Sequence, residues 1–103
     1  MTQTYDKLVR DRIPVIIEEN DERPVTHIAD EGEYERRLAE KLDEEVTEFH
    51  ESGESAELAD VLEVVYALAD SNGLTRAELE RIRAEKADER GGFTDGVVLE
   101  RVE

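Results

Sequence analysis

The sequence predicts a mainly α protein: an antiparallel helical bundle carrying a small two-stranded ribbon and completed by homo-oligomerisation. Three observations predict it. Apolar residues recur at helical spacing in long segments of the chain. Those segments close at glycine-bearing breaks, Ser52-Gly53, Asn72-Gly73 and Gly91-Gly92. One segment is apolar around most of its circumference, and a chain of 103 residues with four helices cannot cover such a helix alone. The whole chain, 1–103, reads as a single helical domain.

The charge balance narrows the partners. Thirteen Lys plus Arg against 29 Asp plus Glu give a net charge of −16, which argues against a nucleic acid polymer. No apolar run approaches a membrane span, the N-terminus lacks a signal-peptide pattern, and no cysteine is present. A cytoplasmic protein is the expectation. Only Lys7, Lys41 and Lys86 are lysines, and the other ten cations are arginines. Abundant, dispersed acids with scarce lysine resemble the proteins of halophiles, in which salt screens the self-repulsion. The alternative is an acidic surface for a basic partner.

In chain order, Lys7, Arg10 and Arg12 place three cations in six residues of an acidic chain. Asp11 is expected to cap a short helix with Pro14 in its first turn and Ile13, Ile16 and Ile17 on its apolar face, ending at Asn20-Asp21. These cations either pair with neighbouring acids or form an arm near bound phosphate. Residues 21–31 form a turn-rich connector in which Val25-Thr26-His27-Ile28 is one strand of the ribbon, with His27 on its surface. The second strand is Val97–Val102, after the turn signal Asp95-Gly96.

The first long helix is expected from about Gly32 to Glu51, with Tyr34, Leu38, Leu42 and Phe49 as its stripe. At about 100° per residue Glu45 falls inside this stripe, Glu48 at its edge beside Lys41, and Glu44 toward water. The second runs from about Ser55 to Ser71 and is the helix that is apolar nearly all round, most simply buried in a twofold interface. The third opens with a capping box, Thr75-Arg76-Ala77-Glu78. Its stripe begins with Leu79 and Ile82, then turns cationic at Arg83, Lys86 and Arg90. Phe93 is placed to contact the helix after the Gly91 cap. Lys86 and Arg90, in the inward sector, are expected to bind phosphate; the plainer reading is that they favour the negative end of the helix dipole.

The chemistry centres on two acid pairs. Residues three apart share a helix face, so Glu45 with Glu48, and Glu57 with Asp60, converge across the short break. Four carboxylates held together repel, and a hard divalent cation resolves the repulsion. Mg²⁺, with Mn²⁺ as a substitute, prefers such an oxygen set; a di-iron bundle site would want Glu-x-x-His, and neither His27 nor His50 fits that spacing. Glu-rich helices generate one Glu-x-x-Glu by chance. Two consecutive pairs with one member inside an apolar stripe point further.

Glu44-Glu45-x-x-Glu48, a gap, then Glu57-x-x-Asp60 resembles the signature of the MazG-like all-α nucleoside triphosphate pyrophosphohydrolases. Lys7–Pro14 and the late Glu85-Lys86-Ala87-x-x-Arg90-Gly91-Gly92-Phe93 resemble a single-domain branch labelled phosphoribosyl-ATP pyrophosphohydrolase-like. The resemblance implies that Glu45, Glu48, Glu57 and Asp60 hold magnesium, with Glu44 in a lesser role. It implies cleavage between the α and β phosphates of a nucleotide, in a homodimer or tetramer. Asp60 is followed by Val61-Leu62-Glu63 rather than the Tyr-His of the histidine-pathway enzymes, so a nucleoside triphosphate is the expected substrate and phosphoribosyl-ATP the alternative. In that mechanism Glu45 or Glu48 orients the attacking water or accepts its proton, with Lys41 and Glu44 behind them. Lys86 and Arg90, with Lys7, Arg10 or Arg12, neutralise the leaving pyrophosphate. A non-catalytic nucleotide- or metal-binding helical dimer is the remaining alternative.

Overall fold

A computed structural model describes residues 3–103 as four helices, the first two joined by an irregular connector over residues 20–30 and the others by short turns, with an extended arm before them and an extended tail after. Helix α1 spans Ile13–Glu19, α2 Glu31–Ser52, α3 Ser55–Ser71 and α4 Arg76–Arg90. Among the described residues, no helix is long and apolar enough to cross a membrane.

Local chemistry accounts for the boundaries. The Asp30 side chain accepts the Glu33 N–H and caps α2 at its start. Gly53, at φ 67°, closes α2 in the left-handed conformation that costs a glycine least, and its N–H returns to the Phe49 carbonyl. Only Gly53 and Glu54 separate α2 from α3, so the two helices fold back on each other as a hairpin. Thr75 and Glu78 form the expected reciprocal capping box of α4. Asp11 does not cap α1. Arg12 takes the cap position without a side-chain bond, because a backbone turn from the Arg10 carbonyl to the Ile13 N–H starts the helix and Pro14 removes one orphan donor.

The core is thin. Leu38 from α2 and Val64 and Ala69 from α3 are its buried apolar residues, with Tyr34, Leu42 and Phe49 half-buried around them. The arm lies against the hairpin, where Arg37 holds it by donating to both the carbonyl and the carboxylate of Asp6 at 2.9 Å.

Three expectations are corrected. No ribbon forms among the described residues: Val25, Ile28 and the Val97–Val102 segment run irregularly and almost fully exposed, because neither has a strand edge beside it. Phe93 is 99% exposed and makes no contact after the Gly91 cap. Lys86 and Arg90 do not face inward but stand in solvent, since α4 packs against α3 alone and its cationic last turns run past the contact. The apolar circumference of α3 is likewise uncovered on one side, with Leu58 and Leu62 about half exposed.

The radius of gyration is 18.0 Å, with extents of 59 × 31 × 24 Å. A compact chain of this length measures about 13 Å.

Candidate metal centre

Five carboxylates from two helices meet where the hairpin closes. Glu44, Glu45 and Glu48 come from the second half of α2, and Glu57 and Asp60 from the first turns of α3. One oxygen each from Glu45, Glu57 and Asp60 lies within 4.8 Å of the others, and the same holds for Glu44, Glu45 and Glu48. Glu45 belongs to both groups. The short Gly53-Glu54 connection produces the meeting, since it sets the end of α2 against the start of α3.

Glu45 is the buried charged residue of the described chain, 7% exposed. Its Oε1 accepts from Lys41 Nζ at 3.1 Å, one helical turn earlier. Its Oε2 is buried with no hydrogen-bond partner. A desolvated carboxylate oxygen left unpaired is costly, and a cation at that point removes the cost. The donor set around it is all carboxylate, which suits a hard divalent ion such as Mg²⁺ or Mn²⁺. The residues present therefore fit such an ion on two counts, the orphaned oxygen and the chemistry of the donors.

The crowding is also electrostatic. Glu48 is held above the ordinary carboxylate range, first by the Glu45 carboxylate beside it and then by its own partial burial. Glu57 is pushed up by burial and by Asp60. Glu44 behaves oppositely: burial would raise it, but hydrogen bonds from Lys7 and Lys41 outweigh that and hold it low. Burial likewise works against the Lys41 ammonium, and its bonds to Glu45 and Glu44 hold it above its usual value.

Glu44 does not point to water. Lys7 Nζ reaches its Oε1 at 2.7 Å and Lys41 Nζ its Oε2 at 3.1 Å. Arg10 reaches Asp60 Oδ1 at 2.8 Å. Two of the three arm cations thus lie directly on the acid cluster, while Arg12 serves as the cap position of α1. Lys86 and Arg90 are not brought to the acids. His27 bonds to Glu33 at 2.9 Å, away from the site, and His50 packs beside Phe49.

A cleft of about 480 Å³ runs from Glu45 and Asp60 along the hairpin between the arm and the start of α4. At its far end the Arg76 guanidinium lies over the Tyr66 ring, 4.2 Å from the centroid. Sequence reasoning missed this feature. Tyr66 reads simply as part of an apolar circumference, and no spacing rule links it to a cation beyond the next turn.

Fold and site together define a mainly helical chain with an acidic cluster, buried at Glu45, whose carboxylates could hold a metal ion. Comparison with known proteins finds no match: no family model fits the chain, and neither a curated protein nor a solved structure is significantly similar to it.

Proposed function

We propose that this chain is a Mg²⁺-dependent nucleoside triphosphate pyrophosphohydrolase of the MazG-like type, acting as a homodimer or tetramer and yielding a nucleoside monophosphate and pyrophosphate. One observation carries the reading: a buried carboxylate, Glu45, with an unpartnered oxygen at the meeting point of acids from two helices. The resemblance of the acid signature and of the Lys7–Pro14 and Glu85–Phe93 stretches supplies the reaction type.

Glu45, Glu48, Glu57 and Asp60 would hold the ion, with Mn²⁺ as a substitute. Bound there, it would supply Lewis acidity toward phosphate oxygens and a water of lowered pKa. The protein's own groups do the rest. Glu48, whose carboxyl retains its proton to higher pH than usual, is suited to take a proton from an attacking water. Lys41 fixes Glu45 in place. Lys7 and Arg10, already at the acids, are the nearest cations for charge developing on a leaving pyrophosphate. Lys86, Arg90 and Arg12 would reach the phosphates only from another subunit or after rearrangement. Phosphoribosyl-ATP remains the alternative substrate.

The test is pyrophosphate release from a panel of nucleotides, phosphoribosyl-ATP among them, with Mg²⁺ at high salt. Glu45→Gln is expected to abolish release while leaving the helices intact by circular dichroism. Turnover equal to the parent's would reject the assignment.

A second reading is favoured by the ion pairs from Lys7, Arg10 and Lys41, which partly neutralise the acids without any metal. On that reading the cluster is a structural network or a non-catalytic binding site. Titration with Mg²⁺ identifies the structural network, which leaves the melting temperature unmoved, and Mg²⁺ binding without pyrophosphate release from any nucleotide identifies the non-catalytic site.

A further inference from the structure

The cleft continues beyond the acids. Its floor is made by Leu38 and Val64, which are 2% and 8% exposed. One wall is the arm from Leu8 to Asp11. The far end is closed by Tyr34, Ala67, Asp70 and the residues that open α4. Asp60, Val64, Ala67 and Asp70 fall on one side of α3, and the ten residue steps from Asp60 to Asp70 cover about 15 Å of helix axis. The volume of about 480 Å³ lies in the range of small-ligand pockets, roughly 300–1,000 Å³.

We propose that this cleft is a nucleoside subsite, and that its far end selects a guanine-type base. The order of surfaces along it is the order of groups along a nucleotide. Charged oxygen and cationic groups lie at the acid end, an apolar floor at the centre, and a stacking ledge with a carboxylate at the far end. The Arg76 guanidinium lies over the Tyr66 ring and 3.9 Å from the Glu63 carboxylate, and a base can stack on the outer side of that guanidinium. The Asp70 carboxylate carries only acceptors. Guanine offers it two parallel donors, the ring N1–H and the exocyclic amino group. Adenine and cytosine offer the amino group alone. Uracil sets its single N–H between two carbonyl oxygens, which repel a carboxylate. The expected order is therefore GMP first, AMP and CMP next, and UMP last.

The link to chemistry at the acid end rests on the pyrophosphohydrolase reading, whereas nucleoside monophosphate binding does not. Calorimetric titration of the full chain at high salt, with GMP, UMP and Mg²⁺-pyrophosphate as separate probes, tests it. Arg76→Ala and Ala67→Phe, which fills the cleft, are each expected to weaken GMP about tenfold, the scale of one lost stacking contact, and to leave Mg²⁺-pyrophosphate unchanged. Asp70→Asn is expected to narrow the gap between GMP and UMP. The proposal is overturned if both cleft variants bind GMP like the parent, if they lose pyrophosphate in parallel, or if Asp70→Asn leaves the GMP-to-UMP ratio in place. Should Ala67→Phe fail to fold, the two surface variants decide. Expected GMP binding with no pyrophosphate release from any nucleotide would sink the enzyme reading and leave the cleft standing; turnover undisturbed by Ala67→Phe would do the reverse.

Discussion

Glu45 concentrates the residue-scale physics. It is buried, it has one cationic partner, and one of its oxygens has none. Lys41→Met removes the partner and keeps the aliphatic stem, so the cost is mainly that of an uncompensated buried charge, about 3 kcal/mol. The expected outcome is a large fall in thermal stability that added Mg²⁺ partly restores, read by circular dichroism melting with and without the ion. Glu48 gives a prediction of opposite sign. Its carboxyl is held above its ordinary value, so the folded chain binds that proton more tightly than the unfolded chain does. Linkage then makes its contribution to stability fall as pH rises from the unfolded value through the folded one, and the penalty persists at neutral pH. Glu48→Gln should therefore raise the metal-free melting temperature at pH 7, and the gain should vanish on acidification below the carboxylate range. Mg²⁺ should stabilise this variant less than the parent.

At the scale of elements, the hairpin of α2 and α3 is what makes a site from separate acids. Its turn depends on Gly53 at φ 67°. No heavy atom lies within 4 Å of where a Cβ would sit, so Gly53→Ala costs only backbone strain, about 1–2 kcal/mol. The expected outcome is a modest loss of stability together with weaker Mg²⁺ binding, because the acid pairs shift relative to each other. Unchanged Mg²⁺ affinity in a folded Gly53→Ala chain would uncouple turn from site. The helices were legible in the sequence because their signals are local: Thr75 with Glu78, Gly53, and the Leu38-to-Phe49 stripe each act within a turn or two. Glu45 was legible for the same reason, as an acid inside an apolar stripe. The ribbon was misread because β-branched runs such as Val97-Val98 declare extended chain but not its partner. The destination of Lys7 and Arg10 was equally hidden. Charge says that a cation will find an acid, and only the packed arm says that these find Glu44 and Asp60.

At the scale of the whole molecule, a single copy is short of buried apolar surface. Among the described residues three apolar side chains are buried, while Leu58 and Leu62 of α3, Val15 and Ile16 of α1, and the tail from Val97 to Val102 lie substantially open. The exposed surface of 9150 Å² compares with roughly 5,900 Å² for a compact chain of this mass. Hydrophobic burial between copies would add stability, and a second copy over the Leu58 and Leu62 side of α3 would supply it. The net charge of −16 opposes that association. Its reach is set by the ionic atmosphere, about 10 Å at 0.1 M salt and 3 Å at 1 M, so molar salt removes most of the repulsion between copies and leaves the apolar contact. Sedimentation equilibrium should accordingly show an oligomer at molar salt that dissociates as salt is lowered, with a melting temperature that rises with protein concentration. Leu58→Glu adds a charge to the contact and should shift the chain toward monomer at every salt concentration while reducing its melting temperature. A parent chain that stays monomeric at molar salt, with a melting temperature independent of concentration, would show that this thin helical hairpin is stable without a partner.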